Sequence, residues 1–140
     1  MDIETHSISI TTKGNCDIVD ITAEIEVILN KTGMVEGNVM IFAGGSTAGI
    51  TTIEYEPGLL KDYPQFFERI ASSEINYEHD NTWHDGNGHS HIRAAIQGAS
   101  FTVPFKDKKL LLGTWQQVIF IDFDNRPRKR NITVQFTGKK

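Results

Sequence analysis

The sequence predicts an α+β fold: two packed, mainly antiparallel β-sheets, sandwich-like, with two or three short helices. Three observations carry this reading. Short segments rich in β-branched residues recur along the chain and alternate in polarity. Most are joined by tight turns marked by glycine, asparagine or proline. Only a few stretches space their apolar residues as a helix does. At 140 residues, the chain is long enough for one sizeable core, and residues 1–140 are read as a single domain.

The composition is that of an ordinary globular protein, 39% hydrophobic and 23% charged. Its net charge of −4 argues against non-specific nucleic-acid binding, with the local cluster Arg126–Arg130 as the exception. The single cysteine, Cys16, excludes an intramolecular disulfide and fits a reducing cytoplasm. No basic, then apolar, leader is read at the N-terminus. No apolar run approaches the ~20 residues that span a bilayer, so no membrane segment is expected.

Residues 6–12 alternate and form the first expected strand. Lys13-Gly14-Asn15 turns the chain into a second, 16–21, and the two are expected to pair as a hairpin. Thr22 is a candidate N-cap for a helix over 23–31, ended by Gly33. Residues 37–43 form an apolar run, read as a central strand covered on both faces. Gly44-Gly45-Ser46-Thr47 breaks it, and 48–56 resumes as strand, ended by Pro57-Gly58. A second helix is expected from Tyr63-Pro64, with Phe66, Phe67 and Ile70 on its buried face. Residues 90–97 are either helix or strand; the alanine pair and Gly98 favour helix. Residues 100–105, 110–124 (bent at Gly113) and 130–136 complete the strands.

The densest chemistry lies between His79 and Arg93 (H-D-N-T-W-H-D-G-N-G-H-S-H-I-R). Four of the five histidines fall there, among Asp80, Asp85, Asn81 and Asn87. His84, His89 and His91 are candidate metal ligands, because catalytic zinc sites often use three protein ligands and leave one position open. Their spacing matches no standard zinc signature, and turn capping or phosphate contact are alternatives. As a strand, this segment puts His89, His91 and Arg93 on one face. As a helix, it stacks His89 on Arg93 and turns His91 away. The 44–47 turn is either an anion-binding nest, with Ser46 and Thr47 adding hydroxyls, or a structural turn. Glu54 and Glu56 share one face of the expected strand and are either Mg²⁺ ligands or a solvated pair. The basic 126–130 cluster is either a phosphate contact or a charged hairpin tip.

The segments G-S-T-A-G-I-T-T-I-E (45–54), H-S-H-I-R-A-A-I-Q-G-A-S-F-T-V-P-F (89–105), L-G-T-W-Q-Q-V (112–118) and D-N-R-P-R-K-R (124–130) resemble the YjbQ-like proteins. These are described as secondary thiamine-phosphate synthases. The resemblance implies a compact α+β fold with two packed sheets, and a homotrimer with a polar site near the subunit boundary. It also implies a phosphorylated small-molecule substrate: a hydroxymethylpyrimidine diphosphate loses pyrophosphate to a thiazole phosphate. Glu54, His79 and His91 match recurring positions and become the catalytic candidates. Ser46, Thr47, Arg93 and Gln116 become the substrate or phosphate contacts. Family members often carry a histidine where this chain has Gly45; His84 or His89 would take over its role.

Such a transfer needs the departing diphosphate neutralised, by a divalent metal (Zn or Mg) or by basic side chains. It also needs a pocket that keeps water from the cationic centre, and Trp83 and Trp115 are candidates to wall it. The alternative is a non-catalytic homotrimer that binds a metal or metabolite.

Overall fold

The computed structural model describes Met1–Lys140. In chain order the elements are β1 (Asp2–Thr12), β2 (Asp17–Asp20), α1 (Thr22–Thr32), β3 (Glu36–Ala43), β4 (Ala48–Ile53), α2 (Pro57–Ile70), α3 (Glu78–Trp83), α4 (Gly88–Gln97), β5 (Ser100–Lys106), β6 (Lys109–Leu110), β7 (Gln117–Asp122) and β8 (Arg128–Lys139). The strands make two sheets, ordered β1-β8-β3-β5-β6 and β2-β7-β4, and every pairing is antiparallel. The expected α+β architecture of two packed sheets is therefore present, with four helices rather than two or three. No helix is long and apolar enough to cross a membrane.

Strand β7 explains the layering. Val118 and Phe120 belong to the larger core cluster, which also holds Val39 and Ile41 of β3, Val134 and Phe136 of β8, and Ile25 and Leu29 of α1. Ile119 and Ile121 belong to a second cluster, with Phe67 of α2 and Ala94 of α4. Alternate residues of one strand thus face opposite layers, and the apolar run V-I-F-I is what a strand covered on both faces requires. The three-stranded sheet lies between the five-stranded sheet on one side and α2 and α4 on the other.

Several local expectations are corrected. β1 and β2 do not pair as a hairpin: β1 pairs with β8, and β2 with β7 in the other sheet. The chain crosses between sheets through Gly14, Asn15 and Cys16, all at positive φ (77°, 53° and 65°). A Cβ on Gly14 would lie 2.6 Å from the Arg126 carbonyl oxygen, so only glycine fits there. Helix α2 begins at Pro57, not near Tyr63, and of its expected buried face only Phe67 is buried, Phe66 and Ile70 being exposed. The Glu56 carboxylate caps it by accepting from Gly58 N (2.9 Å) and Leu59 N, and Pro57 takes the first helical position. Pro57-Gly58 therefore starts a helix where the sequence suggested only the end of a strand. Consequently Glu54 and Glu56 lie beyond β4 and do not share a strand face.

The strand expected over 110–124 is broken at Leu111–Gln116, where the Gln116 side chain accepts from Gly113 N (2.8 Å) and closes a tight turn. Residues 90–97 are helical, as their composition favoured. The short helix α3 was not anticipated; its N-cap residue Tyr77 donates its N–H to the Asp80 carboxylate (3.2 Å).

Between β7 and β8 the polar residues turn inward. Asp122 and Asp124 are fully buried. Asp122 takes a two-point contact from Arg130 (Nε and Nη2, 2.8 Å each) and a bond from the Thr12 hydroxyl (2.5 Å). Asp124 is held by Arg128 (2.9 Å), Thr47 (3.2 Å) and Asn87 (3.3 Å). Burial pushes the Asp124 carboxyl up, but the Asn125 N–H, the Asn87 amide and Arg128 together hold it below the usual range. The basic cluster is thus split: Arg128 and Arg130 serve the interior, and Arg126 and Lys129 are exposed.

Removing one member of a buried, hydrogen-bonded ion pair leaves the other charge without compensation. Asp122→Ala is expected to cost about 3–5 kcal/mol of unfolding free energy in guanidinium titration. A loss below about 1 kcal/mol, the scale of a surface pair, would show that the pair does not hold this end of the fold.

Candidate functional site: the α3–α4 junction

Asp80 fastens the junction. One carboxylate oxygen takes the Tyr77 N–H at the start of α3, and the other accepts from Gly88 N (2.9 Å) at the start of α4. These bonds, the Gly88 one foremost, hold the Asp80 carboxyl below its ordinary range. His84 ends α3 in the left-handed conformation (φ 59°), and Gly86 is left-handed as well (φ 68°). The two reversals bring Asp85 back beside His79. Asn125 secures the turn by donating to the Asp85 carbonyl oxygen (2.8 Å).

His79, Asp80 and Asp85 therefore present one ligand atom each, all within 4.8 Å of one another. His79 Nδ1 lies 3.8 Å from the nearer Asp80 oxygen and 3.6 Å from that of Asp85. These separations are too long for hydrogen bonds. They suit atoms gathered about one ion, because ligands at roughly 2.0–2.2 Å from zinc stand roughly 3–4 Å apart. The His91 ring lies against that of His79, tilted by 39°, with centroids 4.2 Å apart. Burial, and then the neighbouring His79, lower the His91 pKa, which favours the neutral imidazole near pH 7. His91 also lines a cavity of about 250 Å³ with Gly45, Ser46, Ala48, Ala94 and Gly98.

The structure brings together only part of the residue set read from the sequence. His79, His91 and Ser46 lie around the junction and its cavity. Thr47 is buried: its hydroxyl donates to Asp124 and accepts from Arg130 (2.8 Å). The proposed trio of His84, His89 and His91 is not gathered. His84 is exposed at the end of α3, and His89 and His91, two apart on a helix, line different cavities. Glu54 and Gln116 stand at the other end of β4 from Ser46, and that strand's six residues span roughly 20 Å at about 3.3 Å per residue. There Glu54 shares a separate cavity with Asp20, Tyr55 and Trp115. Trp83 and Trp115 are each 70% exposed, and neither walls the His91 cavity.

Arg93 is turned inward. Its Nε and Nη2 donate to the Ala71 carbonyl oxygen (3.0 and 2.8 Å), Nη2 also meets Glu68 (2.7 Å), and Nη1 meets Cys16 Sγ (3.2 Å). This guanidinium ties α4 to the end of α2 and to the crossing before β2. Sequence reasoning had the histidines but missed Asp80 and Asp85 as their partners. The available signal was H-D followed five residues after the histidine by H-D-G, in which the second histidine and the glycine reverse the chain.

Arg93→Gln should destabilise the fold by about 3 kcal/mol or more, read from the denaturation midpoint. Unchanged stability together with lost ligand binding would return Arg93 to a substrate-contact role. The pair also predicts a pH dependence. Burial opposes ionisation of Glu68, yet Arg93 and bonds from Ser72 and Ser73 bring its pKa from an ordinary 4.5 down to about 2. A depressed folded-state pKa stabilises fully above the unfolded value. That contribution should therefore fade as pH falls from about 4.5 toward 2, and Arg93→Gln should flatten the acid limb.

Comparison with known proteins agrees with this fold. The family model for UPF0047 protein YjbQ-like matches residues 6–139. A UPF0047 protein of Methanothermobacter thermautotrophicus is 33% identical over 99% of this chain and 95% of its own length. The UPF0047 protein YugU of Bacillus subtilis is 34% identical over 94% of this chain and 98% of its own. Among solved structures, a YbjQ-like protein of unknown function from Sulfolobus solfataricus P2 superposes with a TM-score of 0.88 at 30% identity, covering 99% of this chain and 100% of that one. A hypothetical protein from Aeropyrum pernix K1 gives 0.90 at 29% identity, covering 97% and 99%. With the family model matched from β1 to the end of β8, this chain belongs to the YjbQ-like UPF0047 family.

Proposed function

We propose that this chain binds a divalent cation at His79, Asp80 and Asp85 and uses it to act on a phosphorylated small molecule, in the thiamine-phosphate synthase manner. One observation carries the reading. Across the whole chain only three buried side-chain atoms lack a hydrogen-bond partner: His79 Nδ1, Asn87 Oδ1 and Ser90 Oγ. All three fall within twelve residues at one junction. Native proteins satisfy nearly all buried polar atoms, so such a local cluster suits a bound ion or water. A set of one imidazole and two carboxylates suits Zn²⁺ and also harder ions such as Mg²⁺.

The cation would neutralise the charge that builds up on a departing diphosphate. The chain's own residues do the rest. His91, held neutral, offers one donor or acceptor to the substrate at the cavity wall. Ser46 offers its hydroxyl across the same cavity. Thr47, locked between Asp124 and Arg130, fixes the turn that carries Ser46.

A single chain leaves Glu54 and Gln116 far from His91. In the homotrimer that the family resemblance implies, a neighbour would supply one end of the site to the other. The reaction would take place in the cytoplasm, the compartment that suits an unpaired cysteine. The second reading, a non-catalytic homotrimer binding a metal or metabolite, is favoured by a different observation. No lysine or arginine lines the His91 cavity, although a diphosphate site usually has one.

Elemental mass spectrometry of untagged protein should show near-stoichiometric metal, lost in His79→Ala and Asp85→Asn. Pyrophosphate release from the hydroxymethylpyrimidine diphosphate should fall at least ~100-fold in both variants and in His91→Ala. Metal retained without any pyrophosphate release would establish the binding reading. Wild-type release without metal would remove the cation from the mechanism.

A further inference from the structure

Helix α4 sends a second histidine into a different cavity, about 280 Å³, bounded by the β1–β2 crossing (Asn15, Cys16), by α2 (Gln65, Glu68) and by His89 and Arg93. His89 is only 7% exposed, and its ring, which takes no part in the side-chain hydrogen bonds of the chain, lines this cavity. Its nearest aromatic neighbour is Tyr77, with centroids 6.4 Å apart. The ring is largely buried by its neighbours, but its nitrogens are not enclosed: they open on this cavity and are free to bond whatever occupies it. Burial, and then Arg93, lower the His89 pKa, so the ring is neutral and offers one donor and one acceptor.

The charges around this space cancel. Arg93 is spent on Ala71, Glu68 and Cys16, and Glu68 on Arg93, Ser72 and Ser73. An anion would meet Glu68 and a cation would meet Arg93, neither with a free counter-charge. A soft metal ion on Cys16 and His89 is disfavoured too. The Arg93 guanidinium sits 3.2 Å from the Cys16 sulfur, and burial raises the pKa of the thiol. The free capacity is that of neutral groups: the His89 ring, the Asn15 and Gln65 amides and the Cys16 S–H.

We propose that this cavity, opened by the unpartnered His89 beside Asn15 and Cys16, binds an uncharged, planar nitrogen heterocycle or amide with donor and acceptor side by side. The volume lies just below the range of small-molecule sites, which fits a ligand of fragment size. The site is separate from the His79 junction and does not depend on the metal.

The test uses the full chain, with cytosine as the neutral probe and benzoate and benzylamine as charged probes of similar size. Carbon-edited NMR of the histidine rings should show the His89 resonance shifting and saturating with cytosine at millimolar concentration, while those of His79 and His91 stay still. The charged probes should bind at least about tenfold more weakly. Because His89 holds no bond inside the chain, His89→Phe should keep the thermal midpoint and raise the cytosine Kd about tenfold or more. If His89→Phe lowers the midpoint, the wild-type titration alone decides. No shift at His89, shifts confined to His79 and His91, or equal binding of benzoate would each overturn the proposal.

Discussion

The buried pairing of Asp122 and Asp124 with Arg130 and Arg128 is the constraint on which the rest depends. Two carboxylates without access to water are tolerable only with strong donors in place. Asp122 belongs to the three-stranded sheet, and the donors come from two strands of the five-stranded sheet and from two loops. Thr12 comes from the end of β1, Arg128 and Arg130 from the start of β8, Thr47 from the turn before β4, and Asn87 from the entry to α4. The network therefore ties the two sheets together at one end and fixes the turn and helix that flank the His91 cavity. Asn125, next to Asp124, extends the same hold to the loop carrying Asp85. The candidate cation site is preorganised by charges that are not part of it.

The layering has a related cause. β7 is buried on both faces, so its partners β2 and β4 can lie in the middle of the molecule only if helices cover their outer side. α2 and α4 do this through Phe67 and Ala94. α4 must therefore pass over β4, and Gly49 allows the close approach: a Cβ there would lie 2.5 Å from the Gln97 side chain. That passage sets His91 near Ser46 and leaves Arg93 beneath the helix to bind Ala71 and Glu68. The position of the histidines follows from how the central sheet is covered.

The sequence showed where periodicity and turn chemistry agree. Strand β3, helix α1, helix α4 and strand β5 all lie near their expected bounds, but β3 is covered on one face only, with Val39 and Ile41 buried and Asn38 and Phe42 exposed. Errors came where one residue type serves two purposes. Pro57-Gly58 reads as a turn, and only the Glu56 carboxylate reaching forward makes it a helix start. Gly14 looks like a hairpin residue, yet it permits a crossing between sheets, and the difference lies in where β8 and β7 stand. The charged residues after β7 look like a solvated tip because burial of Asp122 and Asp124 is a tertiary fact. In the candidate site, histidine density marked the stretch that the structure folds into the α3–α4 junction. The carboxylates that stand beside His79 were not legible, because the left-handed His84 and Gly86 that bring Asp85 back have no unique signature.

Helix α4 places two histidines at i and i+2, and a helix separates such positions by about 200°, since each residue turns about 100°. His89 and His91 thus cannot join one metal site while 88–97 stays helical, whatever their density in the sequence. The helix gives each a different environment instead. His91 stands against another imidazole and two carboxylates, where a cation would be favoured. His89 stands against a guanidinium already paired, where charge of either sign is disfavoured. Both rings are kept neutral by burial, but for opposite uses: one beside a place for positive charge, the other beside a place for none. One short helix thereby separates a site suited to ionic chemistry from a site suited to neutral recognition.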